Sequence, residues 1–249
     1  MPGGEVIGDG EWLALTYRFS PGWPWPESSF GLGPMYGDDG WCRGCGRALR
    51  HQIGPLTVQG SGFPATSPVW TPNWIFDVLC LAEDVAGEVE SRFDVELRPV
   101  HKPRSGPTTV RQIVPRVTDR PWYSRRSLVR GVRAQQGTWR QHVGSNRDPN
   151  APTRPRAPVD VARDWLADRR WGGRCTTCRH WRWFAFDEGT VPVRRSSLEV
   201  GADVVASPET FGDGLQSFRH LLYRAPLAHL LAAANPKVYS VVPVVLSED

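Results

Sequence analysis

The chain of 249 residues carries 30 Lys+Arg against 26 Asp+Glu, a formal net charge of +4, with 40% apolar and 22% charged residues. That composition excludes a disordered chain. The longest apolar runs, Ile75 to Ala82 and Val238 to Leu246, fall far short of the roughly 20 residues that span a bilayer. Only two of the basic residues are lysines, Lys102 and Lys237, and 28 are arginines, a ratio that fits GC-rich coding. Their distribution is uneven: residues 1–40 have a net charge of −5 and residues 101–180 a net charge of +13. Such asymmetry predicts a basic surface for an acidic partner or a clasp between the two segments.

The N-terminal stretch, from Met1 to Trp12, shows no basic region followed by an apolar one, so a cytoplasmic protein is expected. Gly, Pro and aromatics crowd the first 40 residues, as in Pro21-Gly22-Trp23-Pro24-Trp25-Pro26. Proline lacks a backbone donor and restrains its predecessor, so neither a regular helix nor a central strand is expected there. Strands are predicted around Leu56-Thr57-Val58 and Val69-Trp70. A helix is predicted over Leu81–Phe93, where Val85, Val89 and Phe93 share a face, and a strand over Asp94–Val100.

Residues 101–158 show no sustained period and end in a Pro-rich stretch, 148–158, that reads as a linker. A short helix is predicted over Val159–Trp171. Further on come a strand over Ala202–Ala206, a helix capped by Ser207-Pro208-Glu209 and carrying Leu215, Phe218, Leu221 and Leu222, a second helix opened by Pro226, and a strand over Val238–Leu246. The expected fold class is α+β, with mixed sheets and short helices. Three parts are expected: 1–100, 101–158 as an Arg/Pro-rich middle segment or insertion, and 159–249.

The sharpest chemical signal is a pair of Cys-x-x-Cys motifs, Cys42-Arg43-Gly44-Cys45-Gly46 and Cys175-Thr176-Thr177-Cys178-Arg179. Two thiolates three positions apart on a tight turn bind one ion from the same side, and two such knuckles complete a four-cysteine site of the structural-zinc kind. The predicted metal ligands are therefore Cys42, Cys45, Cys175 and Cys178, in a zinc-ribbon-like site joining two distant knuckles. The 129 residues between the motifs far exceed the roughly 15–20 of compact ribbons. Glycine after the second cysteine relieves the turn; Gly46 fits that rule and Arg179 does not. Two alternatives stand beside a shared zinc: independent thiols, and redox use of Trp41-Cys42-x-x-Cys45. His180 is an alternative ligand, and Cys80 reads as an inert core thiol. Trp181-Arg182-Trp183-Phe184 reads either as a strand covering the zinc site or as a base-stacking cluster. No Walker loop, GxGxxG, GxSxG or HExxH motif occurs, so a non-enzyme is expected.

The two motifs, the second about 70 residues from the end, and a tail containing Ser207-Pro208-Glu209-Thr210-Phe211 and Tyr239-Ser240-Val241-Val242-Pro243-Val244 resemble the double-CXXCG motif family. The matching pieces cover about a third of the chain. That family, best known from myxobacterial paralogues, includes immunity proteins against polymorphic toxins. The resemblance implies a cytoplasmic, non-catalytic binder that neutralises a cognate toxin. The alternative is a nucleic-acid-binding zinc protein using the basic middle segment.

Overall fold

The computed structural model of the protein describes residues 12–17, 24, 26, 29–59, 67–73, 75–145, 171–198, 201–212 and 217–248. In chain order the strands are β1 (Trp12–Tyr17), β2 (Val69–Trp70), β3 (Leu79–Leu81), β4 (Glu96–Lys102), β5 (Gly106–Val114), β6 (Arg116–Val117), β7 (Gly172–Arg174), β8 (Trp181–Trp183), β9 (Val193–Arg194), β10 (Val204–Ala206), β11 (Leu221–Arg224), β12 (Tyr239–Pro243) and β13 (Leu246–Ser247). The helices are α1 (Leu32–Tyr36), α2 (Glu83–Arg92), α3 (Arg125–Ser145) and α4 (Ala225–Ala234). The fold is α+β with mixed sheets, as expected.

The organising layer is a five-stranded sheet in the order β12-β1-β11-β10-β6. Its pairs are antiparallel except β10 with β6. Side chains alternate across a strand, and here both faces are covered. Leu13, Val204, Ala206, Leu221 and Tyr223 point into one core. Their neighbours Trp12, Ala14, Val205 and Leu222 point into a second. The first core lies against the four-stranded antiparallel sheet β2-β3-β5-β4, with Val85, Ala86 and Val89 of α2 and Leu227, Ala228 and Leu231 of α4. The second is filled by Leu128 and Val132 of α3 with Trp122, Tyr123, Phe186 and Phe211.

Several expectations are met closely. The helix predicted over Leu81–Phe93 runs from Glu83 to Arg92, with two acids in its first turn, where they favour the positive helix end. The helix opened by Pro226 is α4, with proline in its first turn. The strands expected over 202–206 and 238–246 are β10, β12 and β13. Leu56-Thr57-Val58 forms no named strand, only isolated bridges from Thr57 to His101 and from Val58 to Pro26.

Three expectations are corrected. First, β1 lies between β12 and β11, so the N-terminal segment does supply a central strand; Trp12–Tyr17 is free of proline and glycine, which begin again at Pro21. Second, residues 207–212 form no helix, and Leu221-Leu222-Tyr223 is strand, not helix, because a strand buried on both faces carries an unbroken apolar run. Third, the middle segment is not irregular at 101–145: β4 extends to Lys102, β5 and β6 follow, and α3 begins at Arg125. Ser124 caps that helix, its hydroxyl accepting the Ser127 N–H at 3.0 Å. The linker at 148–158 and nearly all of the helix at 159–171 lie outside the described residues.

Candidate metal centre

The two Cys-x-x-Cys segments meet. Buried Cys42, Cys45 and Cys175, with partly buried Cys178, form a third cluster apart from both cores. Their four Sγ atoms all lie within 4.8 Å of one another. Two cross-motif pairs, Cys42–Cys175 and Cys45–Cys178, are each 3.7 Å apart. A metal–sulfur bond of about 2.3 Å in a tetrahedron separates sulfurs by about 3.8 Å, whereas a disulfide needs about 2.05 Å. The spacing fits one shared ion, and all four are free cysteines. The group is a four-thiol site that can hold a metal ion.

The two turns are near copies. In the first, the Cys42 N–H donates to the Arg47 carbonyl at 2.9 Å and the Gly46 N–H to the Cys42 carbonyl at 2.8 Å. In the second, the Cys175 N–H donates to the His180 carbonyl and the Arg179 N–H to the Cys175 carbonyl, both at 2.9 Å. Each turn closes a short antiparallel pairing at matching positions, Trp41 with Ala48 and Arg174 with Trp181. The correspondence reaches the backbone dihedrals: Gly46 has φ 71° and Arg179 has φ 63°. Arg179 therefore adopts the left-handed conformation that glycine adopts freely, and the missing glycine does not change the turn.

The two knuckles face each other through Gly44 and Thr177. A Cβ at Gly44 would lie 2.3 Å from Thr177 Oγ1 and 3.3 Å from Cys175 Sγ, so no side chain fits there. Backbone donors reach the sulfurs from both sides. The Thr177 and Cys178 N–H groups bond Cys175, the Arg47 N–H bonds Cys45 and the His180 N–H bonds Cys178. Burial pushes the Cys45 thiol up to about 12 and also raises Cys178. At Cys175 burial acts in the same direction, but the donated hydrogen bonds outweigh it and lower the thiol to about 6. Ser217 anchors the first knuckle from outside, its hydroxyl donating to the Cys45 carbonyl at 2.7 Å.

Comparison with family models, with curated proteins and with solved structures found no match.

Among the other sequence candidates, His180 takes part in the second knuckle through its backbone, and the four-sulfur group is complete without its ring. Cys80 sits in the first core, its thiol raised by burial. Neither Cys-x-x-Cys motif opens a helix, which removes the structural setting of a thioredoxin-type pair. The segment 181–183 is a strand, but Trp183 packs on the second core rather than over the sulfurs. Its ring lies 5.5 Å from that of half-exposed Trp181. Gly44, Ser217 and the left-handed Arg179 carry the site's geometry and had no signature in the sequence; only their distance from a cysteine could have pointed to the first and last.

Proposed function

We propose that the protein is a zinc-stapled cytoplasmic immunity protein that neutralises a cognate toxin by binding it, in keeping with its resemblance to the double-CXXCG family. The observation that supports this reading is the convergence of two matched knuckles, 129 residues apart in the chain, on one four-sulfur group. Zinc is the metal we assign, because four thiolates at tetrahedral spacing are the donor set of closed structural zinc sites. Four sulfur ligands leave no open position for water or substrate, so the ion holds the fold together and the binding surface does the work. Among the described residues no helix is long and apolar enough to cross a membrane.

Elemental analysis of the purified chain is expected to give one zinc per molecule. Co-expression with the toxin encoded by the neighbouring gene is expected to restore growth and yield a complex. Cell death together with the absence of a complex overturns the immunity reading, and a metal-free protein of unchanged stability overturns the zinc.

One feature favours a second reading. The helix α3 contains no acidic residue, and Arg125, Arg126, Arg130 and Arg133 are all exposed on it. Such a face can track a phosphate backbone. Binding of single- or double-stranded DNA at low salt, falling steeply as salt rises, supports this reading; its absence at low salt removes it.

A further inference from the structure

A cavity of about 550 Å3 opens beside the cysteine cluster, between the first knuckle, the chain at 217–219 and the turn at 75–78. That volume lies within the roughly 300–1,000 Å3 of small-molecule sites. Part of its lining is rigid and polar. Gln52 and Gln112 join by two reciprocal amide hydrogen bonds of 2.9 Å, and the Gln52 amide also donates to the Gly54 carbonyl at 2.8 Å. An amide pair satisfied in this way has no need of a ligand and holds its wall in place.

The charged lining is unequal. Arg47, Arg50, Arg219, His51 and His180 face the cavity against Asp77 and Asp119. Asp77 is engaged, since its carboxylate accepts the Arg219 backbone N–H at 3.0 Å. Arg219 is tied down through one nitrogen, which donates to the Ser207 and Pro208 carbonyls at 2.7 and 2.9 Å. Arg47 is different. Its Nε is buried and makes no hydrogen bond, to a sulfur or to any other atom, among the described residues. Burial lowers the Arg219 guanidinium and the charge of Arg47 lowers it further, against the opposing pull of Asp77, Tyr36 and Glu209. The Arg47 Nε is closed off from solvent, so Arg47 acts on the cavity through its charge, beside the second guanidinium of Arg219.

The rim is apolar. Phe76 is 44% exposed and Leu49 46% exposed, and the Phe76 ring meets Phe218 edge-on at 5.4 Å between centroids. All three line the same cavity.

We propose that this cavity binds a small organic anion, a phosphate or carboxylate carried on an aromatic or apolar body. Arg47 and Arg219 hold the anionic group, and Phe76 and Phe218 hold the body. This site adjoins the metal centre, sharing Arg47 and His180 with the two knuckles, and does not depend on the immunity reading.

Calorimetric titration of the metal-loaded full chain with inorganic phosphate, AMP and benzoate tests it, with adenosine and benzyl alcohol as uncharged counterparts. The anions are expected to bind in the millimolar range or tighter, the organic ones more tightly than phosphate, and each at least tenfold better than its uncharged counterpart. Arg47→Gln is expected to weaken all three anions at least tenfold, and Phe76→Ala to weaken AMP and benzoate but not phosphate. Preference for AMP over benzoate identifies a phosphate ligand, and the reverse a carboxylate. The proposal is overturned if no anion binds at millimolar concentration, if the uncharged probes bind equally well, or if Arg47→Gln leaves the affinities unchanged. Should Arg47→Gln fail to fold, the charged and uncharged probes on the native chain decide the matter alone.

Discussion

Arg179 shows how a single residue can break a motif's rule without breaking its geometry. It holds φ 63° where its counterpart Gly46 holds 71°. An L-residue in that region is strained relative to glycine by about 1 kcal/mol. Arg179→Gly is therefore expected to raise stability by about 0.5–1 kcal/mol, the gain being trimmed by glycine's freedom in the unfolded chain, as thermal unfolding of the metal-loaded protein would measure. At Gly44 the argument is steric. The Cβ of Gly44→Ala would meet Thr177 Oγ1 at 2.3 Å and its Cβ at 2.9 Å, forcing the knuckles apart. Zinc competition against a chelator is expected to show at least a tenfold loss of affinity, with Thr177→Gly restoring most of it. Away from the metal, burial pushes the Glu188 carboxyl up to about 7, although the Leu221 N–H donates to it. The folded value exceeds the unfolded one, so the fold favours the protonated form. The resulting destabilisation is absent below about pH 4 and complete above about pH 7. Glu188→Gln is accordingly expected to stabilise the protein at pH 8 by about 2 kcal/mol, after allowance for the carboxyl's partial contact with solvent, and to have little effect at pH 4. Denaturant melts at the two pH values would check it.

At the scale of elements, legibility followed burial. The helices α2 and α4 bury one face each, so their 3.6-residue period survives in the sequence and their limits were readable to within two residues. The strand β11 buries both faces. Its run Leu221-Leu222-Tyr223 consequently had no period to read and resembled a helix. The strand β1 was obscured for another reason: six favourable residues sit in a segment dominated by Gly and Pro. A test at this scale concerns the first core, where Leu231 of α4 is fully buried and Leu230 only partly so. Leu231→Ala is expected to cost about 2–5 kcal/mol and Leu230→Ala about 1 kcal/mol or less. Urea unfolding of the pair would separate them, and equal costs would place the helix differently on the sheet.

For the whole molecule, the four-sulfur site joins the first knuckle at residues 42–45 to the second at 175–178. An ion held there would close a loop of 129 residues. Cross-linking a loop of that length removes unfolded-state entropy equivalent to about 5 kcal/mol. For a chain of this size each kcal/mol shifts Tm by about 2–4 °C. Metal removal is therefore expected to lower Tm by about 10–20 °C, a change that calorimetry with and without chelator would read and that added zinc would reverse. The sequence by itself determined which four cysteines could act together, their pairing within each motif and the helices with a single buried face. These depend on neighbours in the chain, so local spacing records them. It could not determine that β1 joins β11 and β12, that both faces of the central sheet are covered, or that Arg179 takes glycine's place. Nor could it reveal that Arg47 and Arg219 share a cavity wall. Those facts rest on contacts between residues far apart in the chain, and only the closed tertiary structure brings the partners together.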